Sequence, residues 1–258
     1  MDLSEEILMS LSWTHISLVV KSTLLEVQRR QDVWVLSMFM ALFAVVALGA
    51  RLSGDTTPAT GTFMLNLGMS LAVFFAHALT VLLSVRQFPN EIEHRTVYPL
   101  LAKPLSRDSL LVGKWLACWM GGILTFLAFH LVALGVSPPA QPISGILHLQ
   151  HLLVQVVSLA WAAGLGIACS LCLPRGLALG STLICVYTGE ALFRWLEDRL
   201  AIMAYVLPRF GSLNLATRLT DGIPPLGLLG MGGLLVYGSL WTLMSLALAR
   251  RFWIWRSL

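Results

Sequence analysis

An all-α membrane protein with six transmembrane helices is what the sequence predicts, from its composition, its apolar runs and the placement of its basic residues. Hydrophobic residues make up 57% of the 258, and charged residues only 12%. A soluble domain carries roughly 25% charged residues. Mean hydropathy is +0.80. The apolar runs are each near the ~20 residues that cross a bilayer as a helix. Together they use about half of the chain and leave no room for a large soluble domain.

Residues 14–31 come first, with an apolar side (Ile16, Val19, Val20, Leu24, Val27) and a polar side (Lys21, Glu26, Gln28, Arg29, Arg30). That pattern predicts an amphipathic helix in the membrane interface; a solvated helix is the alternative. The expected spans follow at 33–50, 62–85, 110–134, 146–173, 177–193 and 226–249. A polar turn at 51–61 separates the first two. A charged segment, 86–109, joins the second and third. A turn with Pro138, Pro139 and Pro142 follows span three, and Pro174-Arg175-Gly176 follows span four. The longest outer stretch is 194–225, whose first half interleaves Arg194, Glu197, Asp198 and Arg199 with Trp195, Leu196, Leu200, Ile202 and Met203. It reads either as an interfacial helix or as a continuation of span five.

Basic residues set the orientation through short loops. Lys21, Arg29, Arg30, Arg86, Arg95, Lys103, Arg107, Lys114, Arg175, Arg250, Arg251 and Arg256 fall on one side, which includes every lysine. Both termini and the 86–109 segment are therefore expected to be cytoplasmic. The same placement argues against nucleic-acid binding, which gathers Lys and Arg on one soluble face. Cys118, Cys169, Cys172 and Cys185 all lie in apolar runs, so they read as packing residues and not as a disulfide framework. The N-terminus opens Met-Asp-Leu-Ser-Glu-Glu, acidic where a cleavable signal peptide needs positive charge.

The charged segment carries the most information. Pro89 suits the first turn of a short helix, in which Glu91 and Arg95 are spaced to pair, and Pro99 ends it. Ser106 can cap span three, with Asp108 in its first turn. The pattern Glu91-x-Glu93-x-x-Thr96, then Leu100-Leu101-x-Lys103-Pro104-Leu105-Ser106-Arg107, then Gly113-Lys114 resembles the cytoplasmic loop of ABC-2 type transporter permeases. It is most similar to the branch that includes the permease of nitrous-oxide-reductase maturation systems. The resemblance implies a permease homodimer in the bacterial inner membrane, each copy docked on a separate cytoplasmic ABC ATPase. In that family this loop couples to the ATPase, which would put Glu91, Glu93, Arg95 and Thr96 in or beside the contact. Lys103 belongs to the same motif, and Pro104 and Arg107 would fix the turn into span three. A solvated loop that merely obeys the charge rule is the alternative.

The need for a partner also follows from the residues themselves. A phosphate-binding loop reads G-x-x-x-x-G-K-[ST]. The only Gly-Lys pair, Gly113-Lys114, is followed by Trp115 and has Asp108 where the first glycine belongs. The chain is thus expected to have no ATPase site and no cofactor of its own; ATP and Mg act through the partner.

Other candidates are weaker. His148 and His151 share a helix face near the outer end of span four and are candidate metal or haem ligands, though without a third ligand in reach they read as interfacial residues. His77 and His130 lie within spans, where polar groups face protein or a water path. Glu190 and Arg194 are spaced to pair locally. Gly176-x-x-x-Gly180 permits close helix approach, and by resemblance span five contributes to the permease dimer. Two further functions stay open. One is a non-transporting mechanical or maturation factor working through a periplasmic partner. The other is a membrane-embedded metal or haem enzyme, for which no convergent catalytic set stands out.

Overall fold

The computed structural model describes residues 16–26, 31–53, 57–93, 107–136, 145–197, 209–216, 218 and 223–255. Among them are seven α-helices and no strand. They are α1 (16–26), α2 (Gln31–Leu52), α3 (Pro58–Glu93), α4 (Arg107–Val136), α5 (Gly145–Cys172), α6 (Arg175–Glu197) and α7 (Leu228–Trp255), with a single 3₁₀ turn at Gly211–Leu213 between the last two. Five of them, α2, α3, α4, α5 and α7, are long and apolar enough to cross a membrane. Helix is the form such runs must take there, because it satisfies every backbone group within the segment.

α5 is the hub. It packs against α3, α4, α6 and α7, and polar atoms fix it to its neighbours. Trp115 and Trp119 on α4 stack on each other at 5.2 Å. Their indole N–H groups donate to the α5 carbonyls of Ala160 and Val156, at 2.9 and 2.8 Å. Gly166 lets α3 lie close, since a Cβ there would collide with the Ser84 hydroxyl. Gln150 closes a reciprocal pair with the backbone of Leu226, donating at 2.7 Å and accepting at 3.0 Å, which sets the entry to α7.

Residues 209–216 hold only a 3₁₀ turn at their centre, and Phe210, Leu213, Leu215 and Ala216 are buried against protein, the setting in which irregular backbone is tolerated at membrane depth. Phe210 lies flat on Trp161 with ring centres 3.6 Å apart. Gln155 donates to the Leu213 carbonyl at 3.3 Å, and the Tyr237 hydroxyl accepts from the Arg209 N–H at 2.8 Å. In contrast, α2 and α7 expose large apolar side chains such as Trp34, Met38, Leu229 and Leu243. On a membrane protein such surface faces lipid tails or another helix.

α3 departs from the sequence expectation. Its 36 residues run from Pro58 to Glu93 with Pro89 inside, so residues 86–93 extend this helix and Pro89 does not start a separate one. At 1.5 Å per residue it is about 54 Å long, well beyond the ~30 Å hydrocarbon thickness, and it must project from the bilayer. A mid-helix proline costs roughly 3 kcal/mol through its lost N–H and the clash with the preceding turn. Burial of Val85 and Phe88, 1% and 0% exposed, holds the helix together across it. The helix opens on a proline at its first position, with the Thr57 hydroxyl accepting from the Thr60 N–H at 3.4 Å.

Candidate functional site at the charged end of the bundle

The ends of α3, α5 and α7, the start of α4 and the middle of α1 all lie at one end of the bundle. The apolar floor there is Phe88, Leu110, Leu111, Ile167, Leu171 and Trp253, with Val19 of α1 packed against it. These residues come from five helices distant in sequence, so the projecting tip of α3 is anchored to nearly every other element.

Three contacts make that anchorage specific. Phe88, on the turn before Glu91, packs against Trp253 of α7 with ring centres 4.7 Å apart. Lys114 of α4 is 1% exposed, and its ammonium reaches both the carbonyl and the side-chain oxygen of Gln87 at 3.4 Å. The same ammonium stands 5.0 Å over the Phe88 ring, a cation–π placement. A buried lysine is tolerated only where its charge is met, and here one ring and one glutamine of α3 help to meet it. Finally, Asp108 in the first turn of α4 accepts two bonds from Arg250 of α7, at 3.0 and 2.9 Å. Asp108 also lies favourably at the positive end of its own helix dipole.

α1 joins the same assembly. A Cβ on Gly113 would meet Val19 at 2.8 Å, so glycine is what allows α1 to lie flush on α4. The Gly113-Lys114 pair thus has a structural meaning: the glycine admits α1 and the lysine clamps α3.

Glu91 and Glu93 end α3, and Arg107 opens α4 with its side chain exposed. Arg95, Thr96, Lys103, Pro104 and Ser106 lie outside the described residues. Gly176 and Gly180 sit on α6, where an added Cβ would meet nothing within 4 Å, so that face is open in the single chain. α6 continues beyond the expected end of span five to Glu197, and residues 198–208 are outside the described set.

The interior histidines separate into two groups. His77 is engaged: its Nδ1 is 2.9 Å from the Val73 carbonyl and its Nε2 2.9 Å from the Ser158 hydroxyl. With Gln155 and Asn214 it lines a small polar cavity of about 180 Å³. His148 and His151 gain a companion from α4 that their spacing did not reveal. The His130 ring lies 5.9 Å from His148 and 5.7 Å from His151. Among the described residues, no group of three or more His, Cys, Asp or Glu side chains is placed so that it could hold a metal ion. His77 and Ser158 do form a buried Ser–His pair, which the sequence did not reveal, and the second ring nitrogen of His77 faces the Val73 backbone carbonyl and not a carboxylate.

An all-helical, multi-pass membrane protein with a long helix projecting from one end is the class these features define. Residues 18–184 match the model of the ABC-2 family transporter proteins. The match covers well over half of the chain, and the chain belongs to that family. No curated protein matches it. Membership brings with it the family's usual division of labour, a membrane domain whose ATP is hydrolysed by a partner ABC ATPase.

Proposed function

We propose that this chain is the permease subunit of an ABC exporter, working as a homodimer with six spans per copy, and that the tip of α3 receives the force of ATP hydrolysis. Both termini and the 86–109 segment are cytoplasmic in this reading, and α6 supplies the remaining span. The single observation that carries it is the anchorage of the projecting end of α3 through Phe88, Gln87 and Lys114. Glu91 and Glu93 lie within two turns beyond that anchor, where an ATPase cleft can engage them.

The mechanics follow from the contacts. A push on the tip passes from Phe88 to Trp253 and from Gln87 to Lys114, so α7 and α4 move with α3. The Asp108–Arg250 pair keeps those two helices in step. α5 and α6, packed on α3, then rearrange relative to the second copy, for which the open Gly176/Gly180 face offers close approach. Such coupling needs an element with two discrete arrangements, and in this reading the α3 tip clamped to α4 and α7 is that element. The narrower kinship with nitrous-oxide-reductase maturation permeases belongs to the same proposal and rests on the Glu91–Lys114 motif alone.

The test is the double substitution Glu91→Ala with Glu93→Ala. Insertion and expression remain normal, whereas association with the ATPase falls at least tenfold and stimulated hydrolysis is lost. Docking and hydrolysis at wild-type levels in that variant would falsify the assignment of this segment.

A further inference from the structure

We propose that the groove between α1, α2 and α4 holds one anionic phospholipid, its phosphate met by Lys21 and an acyl chain laid along α4. The cavity measures about 690 Å³, within the roughly 300–1,000 Å³ of sites that take a small molecule. α1 lines it with two stripes at four-residue spacing, Ile16, Val20 and Leu24 in one and Ser17, Lys21 and Leu25 in the other. Residues so spaced stack on one helix face. The first stripe is wholly apolar. The second carries Lys21, which is the charged side chain among the described lining residues. Buried Leu79 of α3 closes part of the far wall, whereas Leu25 and Leu124 are largely exposed, so the groove opens along its side to whatever surrounds the bundle.

Position, length and polarity together select the occupant. Val19 of α1 lies against Gly113 of α4, so α1 crosses α4 near the charged end of the bundle. From there the α4 wall of the groove runs from Leu116 to Thr125, nine steps of 1.5 Å or about 14 Å. One leaflet of a ~30 Å hydrocarbon core is about as deep. Lys21 and Ser17 thus stand at the outer end, and the groove continues inward along Leu116 and Leu124 to the depth an acyl chain reaches. Gly121 adds no side chain to that wall and leaves room for the chain. Thr125, the polar side chain at the deep end, already donates to the Gly121 carbonyl at 3.0 Å and asks nothing of the occupant. A basic residue on a helix at the membrane surface sits at the level of lipid phosphates. There it favours an anionic headgroup over a zwitterionic one.

The experiment reconstitutes the full chain in nanodiscs of equal parts phosphatidylglycerol and phosphatidylcholine, moves it to mild detergent and weighs it by native mass spectrometry. One phospholipid stays with each chain, and phosphatidylglycerol is favoured roughly fivefold, the worth of about one basic side chain. Lys21→Gln keeps the lipid and loses the preference. Leu124→Trp fills the groove from a position that is 60% exposed, which spares the core, and lowers retention at least tenfold. Leu243→Trp, 63% exposed on α7 and outside the groove, leaves retention and preference unchanged. Should Leu124→Trp not fold, Leu25→Trp on the α1 wall decides on the same tenfold criterion. No retained lipid, equal retention by wild type and the groove variant, or an equal loss in Leu243→Trp overturns the site. An unchanged preference in Lys21→Gln overturns the phosphate contact, and a wild-type dimer that buries Leu124 gives the groove to a second copy instead. These readouts involve no ATPase, so the site stands or falls independently of the coupling role.

Discussion

The two ends of this bundle solve the problem of buried polar groups in opposite ways. At the charged end Lys114 is as buried as any leucine, yet Gln87 and Phe88 engage its ammonium. At the other end the His130 ring meets those of His148 and His151, and four nitrogens of the three are left unmet. At the first end Lys114 and the Asp108–Arg250 pair link one helix to another, although the Trp253 indole nitrogen is buried there without a partner. In the proposed function it is a joint. The second end leaves its ring nitrogens without protein partners. Both α4 and α5 run from one end to the other and contribute side chains to each.

Substitutions can break that comparison at either end. The largest effect is expected from Phe88→Ala, which empties a fully buried aromatic site between α3 and α7. Comparable truncations cost about 3–5 kcal/mol, read as earlier unfolding in mild detergent together with uncoupled ATPase activity. A near-neutral result would mean that the tip of α3 is not anchored there. Next comes His151→Leu, which should gain about 1–2 kcal/mol by losing two unpaired nitrogens; a loss of similar size would show that those nitrogens have partners. The smallest effect is Asp108→Asn. Its partner is half-exposed, with side chains 51% and 60% exposed, and exposed pairs are worth under about 1 kcal/mol. A double-mutant cycle with Arg250→Gln measures the pair directly. Coupling energy near zero, with transport intact, would remove this link from the mechanism.

Much of the helical plan was legible because a membrane writes it into composition. An apolar run of about 20 residues has one stable backbone form in lipid, and the helices α2 to α7 lie where such runs lie. What escaped was decided by long-range packing. Pro89 reads locally as a helix start, but burial of Phe88 between Trp253 and Lys114 carries α3 through it. Gly113-Lys114 stood out only as a loop motif and as a failed phosphate-binding pair. Nothing local says that its lysine folds inward onto a residue 27 positions earlier. His148 and His151 announce a shared face by spacing, whereas His130 joins them only because α4 and α5 run side by side. The residues proposed for coupling are half seen: Glu91 and Glu93 lie in the last turn of α3, while Arg95, Thr96, Lys103 and Pro104 lie outside the described residues.

The most direct test of the central claim is affinity purification of the tagged chain from native membranes in mild detergent with nucleotide present. The account predicts two copies of this chain with a stoichiometric cytoplasmic protein carrying a Walker motif, and release of that protein from the Glu91→Ala, Glu93→Ala variant. A clean assembly of this chain alone, with no ATPase under those conditions, would contradict it.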